Sequence, residues 1–270
     1  MNKILNTQAT YTVSVDQAVT FGAEKAVLTA ENISKSFGNN HVLENVNLTV
    51  QPGELVCILG VSGGGKTTLF NILSGLMQPD KGNVYLRGEE ITGKPGKISY
   101  MLQKDLLLPY RTVVDNVALP LLVRGEPKKQ AREKAASYFE QFGLSGTEKK
   151  YPHMLSGGMR QRAALLRTYL ASDGVALLDE PFSALDTITK SAMHEWYLDI
   201  MREIHLMTLF ITHDMDEAVK LSDRICILAE KPGHIVTEIP VTEPRPRAHD
   251  FSLTPEFLAY KRKISENLIV

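Results

Sequence analysis

The run Gly60-Val61-Ser62-Gly63-Gly64-Gly65-Lys66-Thr67 fits the spacing G-x-x-x-x-G-K-[ST]. Glycines at these places let the backbone curl until successive N–H groups converge on phosphate oxygens, and a helix starting at the loop adds the favourable end of its dipole. Lys66 then reaches β- and γ-phosphates, Thr67 offers a hydroxyl to Mg²⁺, and Thr68 can hydrogen-bond deeper in the phosphate chain. The rival reading, a glycine-rich turn that binds nothing, fails against the complete spacing. Asp179-Glu180, followed by Pro181, is the second candidate. In such a pair the first carboxylate holds the Mg²⁺ shell and the second polarises an attacking water. An acid pair alone is as readily a strand-end turn; its place after an apolar run favours chemistry.

Both groups need rigid elements behind them. Leu55–Leu59 is a continuous apolar run of the kind found in a fully buried strand, and Thr67–Leu76 carries apolar residues at helical period with Gly75 near its end. Strand, loop and helix therefore follow in the order a phosphate loop requires. Val175–Asp179, Thr208–Thr212 and Ile225–Leu228 are further buried-strand candidates, with helical patterns over Thr189–His205 and Asp214–Leu221. This alternation predicts a layered α/β sheet with parallel crossovers, preceded from Leu28 onward by short β-like segments. Between Leu106 and about Pro152 the pattern becomes mostly helical, with charges interspersed from Arg124 to Lys150. That reads as an inserted helical subdomain with a solvated face. Residues 1 to about 28 show no clear period, and no internal repeat is present.

Composition narrows the function classes. The 270 residues are 43% hydrophobic and 23% charged with a formal net charge of -1, an ordinary globular balance that argues against a dedicated nucleic-acid binder. Cys57 and Cys226 sit far apart in apolar stretches, as small buried hydrophobes rather than a disulfide framework, and Trp196 reads as a helix-packing residue. No apolar run approaches the roughly 20 residues that cross a bilayer, and the start of the chain has no signal-peptide core, so a cytosolic chain is expected.

Leu155-Ser156-Gly157-Gly158-Met159-Arg160-Gln161-Arg162, shortly before Asp179-Glu180, resembles the signature motif of the ATP-binding cassette (ABC) family. In residue terms, Ser156 with Gly157 and Gly158 at a helix start makes a second anion site that lacks a lysine. The resemblance implies an α/β P-loop NTPase of ABC type: a RecA-like core, an antiparallel β subdomain and an inserted helical signature subdomain. It also implies ATP hydrolysis with Mg²⁺, at sites shared between two copies of the chain, each signature closing on the γ-phosphate held by the other copy. Further landmarks are similar by position. Gln103 resembles the Q-loop glutamine that contacts Mg²⁺ or water. Ser183-Ala184-Leu185-Asp186 resembles the D-loop that crosses the dimer interface, and His213 the switch histidine at the γ-phosphate. Phe37 sits where the family places an aromatic that stacks on adenine. Glu180 is then the catalytic carboxylate and Asp179 a metal ligand with Thr67 and Gln103.

The resemblance covers roughly residues 28 to 270 and extends to a subgroup. The stretch Leu107–Val117 and the tail residues Pro244-Arg245-Pro246-Arg247 with Thr254-Pro255-Glu256-Phe257 are similar to importers of the nitrate, sulfonate and taurine type, with Tyr110 where tryptophan is frequent. Related cassettes serve uptake of thiamine precursors. The domain expectation is an N-terminal extension at 1–27, an ABC domain at 28–240 with its helical subdomain at about 104–172, and a C-terminal tail at 241–270. The implied partners are a second copy, two separate permease subunits and, indirectly, an extracytoplasmic solute-binding protein, with no nucleic acid. The implied place is the cytoplasmic face of the inner membrane. An exporter cassette and a soluble non-transport ABC ATPase are the alternatives. The latter carry long coiled coils or two cassettes in one chain, neither of which occurs here. The segment Leu106, Leu107, Leu108 and Tyr110 is expected partly to pack inside and partly to line a groove for a short permease helix.

Overall fold

The computed structural model describes residues 27–204, 206–245, 247, 248 and 250–268. The N-terminal extension expected at 1–27 lies, except for Val27, outside the described residues. The element order is β1 (Leu28–Phe37), β2 (Asn40–Val50), β3 (Leu55–Leu59), α1 (Lys66–Leu73), β4 (Lys81–Leu86), β5 (Glu89–Glu90) and β6 (Ser99–Met101). Then come α2 (Val113–Val117), α3 (Leu119–Val123), α4 (Lys128–Ala136), α5 (Gly157–Ala171), β7 (Val175–Asp179) and α6 (Thr187–Ile204). The chain closes with β8 (Met207–Thr212), α7 (Met215–Leu221), β9 (Arg224–Ala229), β10 (His234–Pro240) and α8 (Pro255–Leu268).

The strands build two sheets. One runs β2-β1-β4-β5 and is antiparallel throughout; the other runs β10-β9-β3-β8-β7-β6, parallel except for the edge strand β10. All five side chains of β3 are buried, and they divide by strand alternation. Leu55, Cys57 and Leu59 enter a core shared with α5, α6, α7 and α8, while Val56 and Ile58 enter a core shared with α1 and the antiparallel sheet. Strands β7, β8 and β9 split the same way. Covered on both faces, these strands must be apolar at every position, which explains the unbroken runs in the sequence. Each large side chain so buried contributes about 1.5–3 kcal/mol, which fixes the register of the strand ends that carry the polar groups.

The helical insert differs in detail from the expectation. Only three short helices, α2 to α4, occupy the stretch expected to be mostly helical; Pro120, Gly125 and Pro127 break it into pieces of five to nine residues. Helices α2 and α3 pack on α5, the one long helix of that subdomain, and α4 packs on α2 and α3. The N-terminal strands β1 and β2 are longer than the short segments expected, at 10 and 11 residues, and carry several register shifts that blur their alternation. At the other end α8 docks through Phe257 and Ile264 onto the core beside α7 and β9, so the tail is a packed element.

Candidate functional site

The glycine-rich loop leaves the carboxyl end of β3, an interior strand, and runs into α1, outside the carboxyl ends of the parallel strands where ligands of such folds collect. Gly60 has no room for a side chain: a Cβ there would lie 2.3 Å from the Leu228 carbonyl oxygen on β9. Gly65 has φ +91° and also abuts Leu43 and Val42, so both backbone sign and space demand glycine. As the residue before α1, Gly65 supplies no capping side chain, which leaves the first N–H groups of that helix open to an anion. Lys66 turns back over the loop, its Nζ donating to the carbonyls of Gly60 at 2.8 Å and Val61 at 2.9 Å. Burial lowers the Lys66 pKa, and the carboxylates of Glu180 and Asp179 oppose that shift.

Asp179 closes β7 beside the loop. Its Oδ2 lies 3.5 Å from Thr67 Oγ1 and accepts from the Tyr100 hydroxyl at 3.2 Å. Burial raises the Asp179 pKa, with the neighbouring Glu180 charge adding to it while the Tyr100 and Thr67 hydroxyls oppose it. Burial likewise raises the Tyr100 pKa, so this phenol stays a donor. The set of hydroxyl and carboxylate oxygen is the hard-donor chemistry that Mg²⁺ takes, usually through one or two protein oxygens with phosphates and waters completing the shell. No cluster of three or more His, Cys, Asp or Glu able to cage a metal occurs among the described residues.

Glu180 is held in the left-handed region at φ +46°, a conformation that costs a non-glycine residue roughly 1–2 kcal/mol. Its N–H still donates to Ile211 O at 3.0 Å, so the sheet ladder continues up to the turn. Its carboxylate is then shared: Oε2 accepts from Gln103 Nε2 and Oε1 lies against His213 Nδ1, both at 3.0 Å. Gln103 follows β6 and His213 follows β8, the two strands that flank β7 in the sheet, so adjacent parallel strands deliver these groups at their carboxyl ends. His213 is largely exposed, while Glu180 keeps only 17% of its side chain open.

The signature residues form a separate patch. Ser156 precedes α5 and its Oγ accepts from Met159 N at 3.3 Å; Ser156 and Gly157 are exposed and Gly158 is buried against Thr189 of α6. Gln161, a turn farther on, donates to Pro181 O and ties this helix to the segment after Glu180. Within one chain the described hydrogen bonds and ion pairs do not join Ser156 to the Lys66 loop. Asp186 accepts from Thr189 N at 3.1 Å at the head of α6, and Ser183 and Asp186 are exposed. Phe37, 49% exposed at the end of β1, has the Lys35 ammonium 5.7 Å from its ring centre.

Several residues of this neighbourhood are absent from the sequence reading. Tyr100 is found once β6 pairs with β7: it stands opposite Leu177, two residues before Asp179 and so on its face. Asn116, fully buried, bonds Leu108 N and O and the carbonyls of Arg111 and Thr112, and Arg167 donates to the carbonyls of Asp105 and Leu106. These two side chains pin the loop after Gln103. Leu107 turns inward at 7% exposure while Leu106 and Tyr110 stand out at 52% and 78%. Tyr110 also lines a cleft with Leu122, Arg132 and Tyr151. No helix among the described residues is long and apolar enough to cross a membrane.

The family model described as ABC transporter matches residues 43–183. The formylaminopyrimidine import ATP-binding protein ThiZ of Halalkalibacterium halodurans is 46% identical over 80% of this chain and 85% of its own. The nitrate import ATP-binding protein NrtD of Synechocystis is 37% identical, over 86% of this chain and 89% of its own. Among solved structures, a dimeric post-hydrolysis state of the ATP-binding cassette MJ0796 bound to ADP and Pi superposes with a TM-score of 0.68 at 28% identity, covering 80% of this chain and 100% of that one.

Proposed function

This chain belongs to the ABC transporter family, and from that premise we propose that it is the ATP-hydrolysing subunit of an importer for a small solute. The observation that carries the reading is the single carboxylate of Glu180 held by both Gln103 and His213 beside the Lys66 loop. ThiZ, NrtD and the taurine import protein TauB of Escherichia coli, 36% identical over 88% of this chain, support the importer over the exporter or a soluble non-transport ATPase. A solute of the nitrate, taurine or formylaminopyrimidine kind is in keeping with those names.

Hydrolysis then proceeds by positioning and electrostatics. Gly60, Ser62, Gly63, Gly64 and Gly65 present backbone groups to the phosphates, Lys66 exchanges its loop carbonyls for phosphate oxygens, and Thr68 bonds nearer the α-phosphate. Thr67, Asp179 and Gln103 would hold Mg²⁺, which when bound neutralises phosphate charge. Glu180 orients the attacking water and accepts its proton, while His213 donates toward the γ-phosphate. Phe37 stacks on the adenine. The ADP/Pi-bound dimeric relative supports a homodimer in which Ser156, Gly157, Gly158 and Asp186 of one copy complete the site of the other.

Closure of that dimer drives two permease subunits, with an extracytoplasmic solute-binding protein delivering the cargo, from the cytoplasmic face of the membrane. The exposed Leu106 and Tyr110, on a loop pinned by Asn116 and Arg167 next to Gln103, support a permease contact there. Residues 28–240 make the ABC domain, with the helical subdomain at about 104–172 and a C-terminal tail at 241–270. The experiment is reconstitution with candidate permeases and measurement of solute-stimulated ATP hydrolysis; a chain that hydrolyses no ATP alone or in any complex refutes the reading.

A further inference from the structure

We propose that Lys190 is a positioning residue that locks the Ser183–Asp186 loop to the turn bearing His213, so that both move as one body; the inference rests on the reading of the nucleotide site above. Helix α6 begins directly after that loop, and Lys190 N donates to Asp186 O at 2.8 Å, which puts the lysine one turn into the helix. Its ammonium leaves α6 and lies 2.7 Å from Asp214 Oδ2 and 3.5 Å from Glu217 Oε2.

Both carboxylates lie within four residues after the switch histidine. Asp214 follows His213 in the chain, and its other oxygen caps α7 by accepting from Asp216 N at 2.9 Å and Glu217 N at 3.2 Å. Glu217, buried at 2% exposure, accepts from the Thr212 hydroxyl at 2.6 Å, and Asp214 N donates to that same Thr212 oxygen at 3.0 Å. Residues 212, 214 and 217 thus close around His213 as one hydrogen-bonded unit. Among the described residues, Lys190 is the lysine or arginine that reaches residues 212, 214 and 217 at contact distance; His194 Nε2 comes to 3.6 Å of Glu217 Oε1 and makes no hydrogen bond. Two neighbouring carboxylates, one of them buried, need a fixed positive partner, and removal of that partner leaves them repelling. Burial lowers the Lys190 pKa, but Asp214 and Glu217 more than offset it and the net direction is up, so the ammonium stays charged.

The other side of the same helical turn touches the signature helix. A Cβ on Gly158 would meet Thr189 Cγ2 at 3.4 Å, and Gln161 bonds Pro181 O. The first turn of α6 therefore sits between Ser156 and His213, and Lys190 is its fastening on the His213 side. A staple needed for folding alone could be placed anywhere along 18 residues of helix; one turn from Asp186 it transmits displacement of the loop with little slack.

The test uses the full chain with MgATP, and compares Lys190→Met, Lys190→Arg, Asp214→Asn and the double variant Lys190→Met/Asp214→Asn. Asparagine keeps the helix cap while removing the charge. The expected result is a fall in kcat of at least about tenfold for Lys190→Met with KM for ATP within about threefold, recovery to within about threefold in Lys190→Arg, and a double variant no slower than the slower single. On a Glu180→Gln background, Lys190→Met should also weaken ATP-driven dimerisation. A Lys190→Met kcat within threefold of wild type overturns the proposal, as does a loss that tracks melting temperature and is not rescued by arginine, or a fully additive double variant. If Lys190→Met melts below assay temperature, Lys190→Arg and Asp214→Asn decide by the same criteria. Active Glu180→Gln and Lys66→Ala would instead bring down the site reading itself, so the two failures are told apart.

Discussion

Replacing Glu180 by glutamine removes a charge and a proton acceptor while leaving the shape of the side chain. In the structure the carboxylate has two partners, Gln103 Nε2 and His213 Nδ1, each at 3.0 Å. The glutamine oxygen can keep the Gln103 bond, and its amide can donate to the neutral tautomer of His213, so the turn loses little. Melting should stay within about 3 °C of wild type, the shift expected for less than about 1 kcal/mol in a chain of this size. Hydrolysis should fall by about 10² to 10⁴, or roughly 3 to 5 kcal/mol in the barrier, the range for losing a general base. Binding should move the other way. A unit charge about 4 Å from another near a protein surface interacts at about 4 kcal/mol, so deleting the carboxylate relieves repulsion of the γ-phosphate and strengthens the ATP-bound dimer. Phosphate release under steady-state conditions, with size-exclusion light scattering with and without ATP, reads both effects. Hydrolysis within threefold of wild type, with the fold intact, would refute the role given to Glu180.

Lys66→Ala should weaken nucleotide binding itself by at least about tenfold, since a charge-assisted bond to phosphate is worth about 1.5–3 kcal/mol; titration with a fluorescent ATP analogue checks it, and unchanged affinity contradicts the loop assignment. Ser156→Arg on the Glu180→Gln background should leave ATP bound to monomers and abolish the ATP-driven dimer, measured by light scattering; dimerisation as tight as the parent removes the signature from the shared site. Tyr110→Glu should spare melting and solution hydrolysis and weaken assembly with the permease in a pull-down, because the ring is 78% exposed. Leu107→Asp, by contrast, should cost at least about 2 kcal/mol of stability by burying a carboxylate, seen in urea unfolding.

The parts legible in sequence are those where one strand end carries the chemistry. Leu55–Leu59 and Val175–Asp179 are buried on both faces, so their apolar runs mark the strands and their polar terminators mark the site. Gly60 and Gly65 announce the loop because steric demand and chain sign allow nothing else there. Contacts between distant segments carried no such signal. Tyr100 meets Asp179 across 79 positions and Lys190 meets Asp214 across 24, and neither spacing is periodic. The bulged pairing of β1 with β2 hid two long strands behind irregular alternation. The insert misled in a different way: its charges suited helix, but its prolines and glycine cut the helices short.

Lys66, bonded to the Gly60 and Val61 carbonyls, makes nucleotide capture a ligand-exchange reaction rather than a simple addition. The ammonium gives up two neutral acceptors of fixed geometry, and only a newcomer with greater negative charge offers a net gain. Uncharged ligands, adenosine among them, would leave the lysine where it is. The same trade runs backwards when product departs: the carbonyls wait at hydrogen-bond distance to receive the ammonium, which shortens the residence of a diphosphate and lets the loop keep its shape from one turnover to the next.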